Sequence, residues 1–192
     1  MTSAPDSATP TPGGQTLAAV LVPLFVPANG EQPHVVLTRR RADLRRHAGE
    51  ISFPGGRKDR EDPDLAATAL READEEIGLA PTAVELIGEL PAISTFATGY
   101  EIHPFVGLIE PGQRWRLSPR EVDAVLELPL AELGRSRTRT RLERRGITFE
   151  TDAYVLDGQM IWGATFRIIE NLSERLREGG GPEGRFSLKK RR

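Results

Sequence analysis

Cysteine is absent from all 192 residues, which excludes disulfides, thiolate zinc centres and a cysteine nucleophile and leaves the redox compartment open. Long apolar runs are absent as well. The longest, Leu17 to Val26, spans ten residues and contains Pro23, too short to cross a bilayer. The first sixteen residues carry Asp6 and no Lys or Arg, so a signal peptide's basic start is missing and a cytoplasmic location without a membrane partner is expected. An excess of positive charge is also lacking: 26 Lys and Arg against 28 Asp and Glu leave a net charge of −2, which argues against a nucleic-acid partner. No internal repeat is visible. What is present, 38% hydrophobic and 28% charged residues, is the composition of one soluble globular domain of ordinary size.

The two ends differ from the middle. Residues 1–15 are rich in Ser, Thr, Pro, Ala and Gly and read as a disordered tail. Residues 177–192 combine a Gly-Gly-Gly-Pro break with Lys189-Lys190-Arg191-Arg192 and read as a flexible basic tail. Between them, residues 16–176 alternate strand and helix signals. Strands are expected over Thr16–Val26, His34–Arg39, Ile51–Phe53, Val84–Ile93, Ile102–Ile109, Trp115–Leu117, Ile147–Leu156 and Met160–Trp162. Pro54-Gly55-Gly56 turns the chain, and Asp62-Pro63 offers an N-cap with proline at the first helical position. Ala66, Ala69, Leu70, Ala73 and Ile77 form the apolar stripe of that helix, with Gly78 placed to stop it. Pro129–Leu133 is a short helical turn, and Ala164–Leu176 is an amphipathic terminal helix. The expected class is α/β, an α/β/α sandwich around a mixed sheet.

The chemistry concentrates in Arg71-Glu72-Ala73-Asp74-Glu75-Glu76. On a helix Glu72, Glu75 and Glu76, at i, i+3 and i+4, share one face and repel. A divalent cation would relieve the repulsion, and carboxylate oxygens are the hard ligands that Mg²⁺ prefers, together with waters and substrate phosphates. The preceding loop carries Gly55 and Gly56, which allow close backbone approach, and Arg57, Lys58 and Arg60, which suit an anion. Arg71 could brace a neighbouring carboxylate through a bidentate pair. An isolated Glu-x-x-Glu is ordinarily a solvated helix face. The glycine turn, capped helix, Arg-Glu and Glu-Glu steps and terminal glycine together favour a metal platform for phosphate chemistry.

This segment resembles the Nudix box, G-x5-E-x7-R-E-U-x-E-E-x-G-U with U aliphatic. Gly56, Arg71, Glu72, Glu75, Glu76, Gly78 and Leu79 match, with Ala73 at the first aliphatic place. Asp62 stands where the first Glu is usual, and eight residues rather than seven separate it from Arg71. The stretch from Leu37 to Gly56 is similar to the LLTxRS…FPGG signature of the coenzyme A pyrophosphatase subfamily, whose own box resembles this longer variant. Further likenesses are Ser118 to Leu130, resembling that subfamily's EV…PL segment, and Ile161-Trp162-Gly163, resembling the start of its last helix.

The resemblance implies a Nudix fold and metal-dependent hydrolysis of coenzyme A to 3′,5′-ADP and 4′-phosphopantetheine. It implies Mg²⁺ or Mn²⁺ on Glu72 and Glu76, with Glu75 as a further ligand or general base, Glu121 as a downstream base or ligand, and Arg71 supporting them. Arg39, Arg40 and Arg45, with Gly55, Gly56 and Arg57, are expected to meet the substrate's phosphates. Alternatives are a Nudix enzyme for ADP-ribose, NADH or an oxidised nucleotide, and a non-catalytic nucleotide-binding module. Oligomeric state is not readable.

Overall fold

A computed structural model describes residues 15–29, 32–44, 49–95, 99–144 and 146–178. In chain order the elements are β1 (Thr16–Phe25), β2 (His34–Arg40), β3 (Ile51–Ser52), β4 (Gly55–Arg57), α1 (Leu65–Ile77), β5 (Glu85–Glu89), β6 (Ile93–Thr95) and β7 (Tyr100–Leu108). There follow β8 (Val122–Pro129), α2 (Leu130–Arg135), β9 (Arg137–Arg144), β10 (Ile147–Leu156), β11 (Gln159–Trp162) and α3 (Gly163–Glu178).

Strand alternation builds the layers. Along β1, Ala19, Leu21 and Phe25 face α1 with Ala69, Ala73 and Ile77, while Val22 and Leu24 face the opposite cluster with α3's Phe166, Ile168, Ile169 and Leu172. Each large apolar side chain so buried contributes roughly 1.5–3 kcal/mol. Leu130 and Leu133 of α2 and Tyr154 and Ile161 of a second, three-stranded sheet β11-β10-β9 join the α3 side. The main sheet is mixed: β1 runs parallel to β7 and antiparallel to β2 and β4. An α/β/α sandwich results, as expected.

One irregularity of this sheet positions the site. On one edge β1 pairs with β7 from Thr16 to Leu24. On the other, β4 takes Ala18 to Val20 and β2 takes only Leu24 and Phe25. β2 and β4 therefore part company, and the chain crosses the fork at Pro54, whose carbonyl accepts from Leu21 N at 2.9 Å. Beyond the fork β2 pairs with β8, with a register shift between Arg39 and Arg40.

Several sequence expectations change. The N-cap of α1 is Asp64, which accepts from Ala67 N at 2.7 Å, so Pro63 precedes the cap and Asp62 is free for another role. Gly78 closes the helix at φ 71° as expected, with Leu79 N reaching Ala73 O at 3.3 Å. Trp115–Leu117 is not a strand. Arg116 N and Ser118 N instead donate to Ile77 O at 2.9 Å and Glu76 O at 2.8 Å, satisfying carbonyls that the end of α1 leaves open. Val84–Ile93 divides into β5 and the approach to β6, after a 3₁₀ turn at Pro81–Ala83. β8 and β9 were not expected, and α3 runs to Glu178, two residues past the expected domain end. Residues 1–14 and 179–192 of the two tails lie outside the described residues.

Candidate active site

The helix entrance is closed by one clamp. Asp62 is buried, and its carboxylate accepts from Asp59 N at 2.9 Å, Thr68 Oγ1 at 2.9 Å, and Arg71 Nε and Nη2 at 2.9 and 3.0 Å. The Arg71 guanidinium holds this carboxyl far below the usual carboxylate range, and Asp62 in turn raises Arg71. The same guanidinium donates from Nη1 to Glu72 Oε1 at 3.0 Å and Glu75 Oε2 at 3.3 Å, and from Nη2 to Arg57 O at 3.3 Å. One planar cation thus orders three carboxylates and the loop ahead of them. The turn ahead of the clamp is closed by Asp62 N donating to Asp59 O at 3.3 Å.

Glu72 and Glu76 are turned inward. A Cβ on Gly56 would overlap the Glu72 carboxylate, and one on Gly55 would overlap Ala19 O and Val20 Cα, so both glycines are required by close packing. Burial, only partly relieved by Arg71, pushes the Glu72 carboxyl up. Glu76 is 4% exposed. Burial pushes its carboxyl up to about 8, reinforced by the charges of Glu72 and Glu121 and offset in part by Arg40 and the Gly55 amide. Glu75 is different: its side chain is 61% exposed and paired with Arg71.

Two further elements meet Glu76. Arg40, at the end of β2, places Nη1 3.8 Å from Glu76 Oε1 and Nη2 3.9 Å from Glu121 Oε2. Glu121 lies on a turn tied to β2 by Arg41, whose amide donates to Glu121 O at 3.0 Å. Arg41 Nη1 reaches Pro119 O at 2.9 Å, and its Nε and Nη2 hold Asp43 at 2.9 and 2.8 Å. The structure therefore brings together Arg71, Glu72, Glu76, Gly55, Gly56, Arg40 and Glu121 from four separate stretches of chain. It leaves Arg39 facing elsewhere, with Nε and Nη2 on Asp123 Oδ2 at 3.0 and 2.6 Å. Arg57 has an exposed side chain on β4. Arg45 lies outside the described residues. Sequence reasoning missed the Asp62 clamp and the Arg41 tie. The available signal for the first was an unexplained acid at the helix entrance.

The donor set suits a hard divalent cation. Among the described residues no group of three His, Cys, Asp or Glu side chains converges to hold a metal alone. Two inward, mutually repelling carboxylates match Mg²⁺ or Mn²⁺ completed by waters and substrate phosphate oxygens. His103 belongs to a different neighbourhood. Ala19 lies between Gly56 on one side and His103 on the other, and His103 bridges Glu89 and Glu101 at 2.9 and 3.0 Å. No helix among the described residues is long and apolar enough to cross a membrane.

Comparison with known proteins bears on the family and the fold. The family profile of the NUDIX domain matches residues 16–149. An uncharacterized Nudix hydrolase, NudL, of Salmonella newport is 42% identical over 162 residues, spanning 83% of this chain and 82% of its own. The NUDIX domain of Shewanella oneidensis NrtR, solved with ADP ribose, superposes with a TM-score of 0.59 at 19% identity, covering 85% of this chain and 89% of that one. The Nudix hydrolase RenU of M. smegmatis gives 0.57 at 17% identity, covering 93% and 91%. At such identities the two solved structures speak for the fold.

Proposed function

The chain belongs to the Nudix hydrolases, which act on diphosphate bonds of nucleoside diphosphate derivatives, and from that premise we propose that its substrate is coenzyme A, cleaved to 3′,5′-ADP and 4′-phosphopantetheine. The observation that carries hydrolysis is the pair of desolvated carboxylates, Glu72 and Glu76, packed against the Gly55-Gly56 fork. The choice of coenzyme A rests on the Leu37–Gly56 stretch and its likeness to the subfamily signature.

Bound Mg²⁺ or Mn²⁺ supplies positive charge to the diphosphate oxygens and a nucleophile at neutral pH. Glu72 and Glu76 would hold the cation, and Arg71, donating to Glu72 Oε1, fixes that side chain's rotamer. Glu75, exposed beside them, adds a contact through water. Gly56 leaves room for the Glu72 carboxylate, and Gly55 lets β4 pack close against β1. Glu121, half exposed at 49%, is assigned as general base. The water oxygen forms the new bond to phosphorus, its proton passes to the Glu121 carboxylate, and the diphosphate P–O bond breaks toward the leaving phosphate. A base in this role supplies about 10²–10⁴-fold of rate. Arg40 borders the carboxylates and, with Arg57 exposed on β4, offers positive charge to the 3′-phosphate of the coenzyme.

The test is a substrate panel. The protein is incubated with Mg²⁺ or Mn²⁺ and coenzyme A, ADP-ribose, NADH or nucleoside triphosphates, and products are identified by mass. Release of 3′,5′-ADP from coenzyme A alone is the expected result. Preferential turnover of another diphosphate refutes coenzyme A as substrate, and no turnover of any refutes hydrolysis.

A further inference from the structure

Arg40 and Arg71 approach the same carboxylate cluster in different ways. Every Arg71 nitrogen has an acceptor within 2.9–3.3 Å. Arg40 stands 3.8 and 3.9 Å from its two carboxylates, outside hydrogen-bond range. Its Nε is buried with no hydrogen-bond partner among the described residues. A guanidinium placed for good hydrogen bonds would not stop there. Arg40 is held by charge rather than by geometry, drawn between Glu76 on α1 and Glu121 on the turn before β8.

We propose that Arg40, facing Glu76 and Glu121, is an internal counter-ion that competes electrostatically with a divalent cation for the Glu72–Glu76 carboxylates and withdraws when one binds. The inference rests on the assignment of Glu72 and Glu76 as the metal carboxylates. Without metal, Arg40 neutralises carboxylates that would otherwise repel at close range in a poorly solvated setting. With metal, a guanidinium and a divalent cation cannot both sit against Glu76 without repulsion. Arg40 loses little by leaving, because it makes no short hydrogen bond there, and its buried Nε becomes free to find an acceptor. The side chain is 27% exposed, so it has a path outward, along the rim where an anionic substrate would arrive. Arg40 is thus a positioning residue that competes with the metal in the resting protein and turns toward the substrate's phosphates once displaced. Metal and diphosphate then bind with mutual reinforcement.

Mn²⁺ affinity of the intact protein, read by calorimetry without substrate, tests this directly. Removing the competitor in Arg40→Gln tightens Mn²⁺ binding by roughly five- to fiftyfold, the effect of one nearby positive charge in a partly screened site. Arg40→Lys keeps the charge and stays within about threefold of wild type. General structural damage would weaken binding in both variants. Glu76→Gln separates the two assignments. If Glu76→Gln loses Mn²⁺ while Arg40→Gln binds it unchanged or more weakly, the role of Arg40 is overturned and the carboxylate platform stands. If Glu76→Gln binds Mn²⁺ like wild type, the platform falls, and the role of Arg40 with it. The wild-type protein gives a second reading that needs no variant to fold. The Arg40 Nε–H resonance should shift as Mg²⁺ is added and saturate with occupancy, and an unmoved resonance at saturation overturns the proposal.

Discussion

The entrance of α1 and the end of β2 contribute one arginine each to the same acidic cluster, and they are built on opposite principles. At the entrance, Asp62 is buried and fully satisfied, and Arg71 is fixed by five short contacts. At the end of β2, Arg40 has two long ion contacts and a buried nitrogen without a partner. The first arrangement is fully hydrogen-bonded and the second is not. Within one cluster, rigidity belongs to the arginine at the helix entrance and looseness to the arginine at the strand end.

The largest expected effect falls where the two regions meet. Glu76→Gln should lower turnover of the diphosphate substrate by about 10²–10³-fold, the scale of losing one preorganised electrostatic contact to the transition state. Steady-state kinetics at saturating Mg²⁺ measure this, and activity within about threefold of wild type would remove Glu76 from the machinery. Next comes the clamp. Asp62→Ala removes the bidentate partner of Arg71 and the acceptor of Asp59 N and Thr68 Oγ1, and should cost about 1–3 kcal/mol in urea unfolding. A loss no larger than that of a surface pair would show the entrance to be ordinary.

The pH dependence of the metal-free protein has opposite signs in the two regions. Asp62 has a folded pKa below its unfolded value, so its stabilisation is present above about pH 4 and lost on acidification. Glu76 has a folded pKa raised from 4.5 to about 8, so stability is greatest below the lower value and falls as the pH rises through the higher. Urea midpoints between pH 5 and 8 should therefore decline, by about 1–3 kcal/mol from this group. The Glu76→Gln variant should be flatter over the same range and more stable at pH 8. A decline of equal size in that variant would assign the effect elsewhere. The smallest effect is expected outside both regions: Arg39→Ala breaks an exposed pair with Asp123 and should change stability by less than about 0.5 kcal/mol.

Much of this was legible in the sequence, for identifiable reasons. The apolar stripe and terminal glycine of α1 are local signals, so the helix and its C-terminus were readable; helical spacing put Glu72, Glu75 and Glu76 on one face and did not reveal that Glu75 alone stays exposed. The start was misread by two residues because Asp62-Pro63-Asp64 offers two capping acids, and only packing shows that Asp62 turns inward to Arg71 while Asp64 caps. Trp115–Leu117 alternates like a strand, yet its amides pair with helix carbonyls, a tertiary choice invisible in a local pattern. β9, RTRTRLER, lacks apolar alternation because it is a sheet edge paired only with β10. Its β-branched threonines at every second place were the weak trace of it. The position of Arg40 depends on strand divergence and on a register shift between Arg39 and Arg40, which the sequence of the stretch does not display.

The fork in the sheet has a consequence for the order in which the site is assembled. Arg71 and Asp62 are nine residues apart, whereas Arg41 reaches Pro119 across 78 residues and Arg39 reaches Asp123 across 84. Closing the longer loop carries the greater entropic penalty, and contacts between distant parts of a chain form slowly. The clamp can therefore form while the carboxylates still face open solvent, and the turn bearing Glu121 docks afterwards. Pulsed hydrogen exchange during refolding should protect the amides of α1 before the Arg41 amide, whose acceptor is Glu121 O. A freshly made chain would then pass through a stage with the α1 carboxylates already ordered by Arg71 and the turn bearing Glu121 not yet docked.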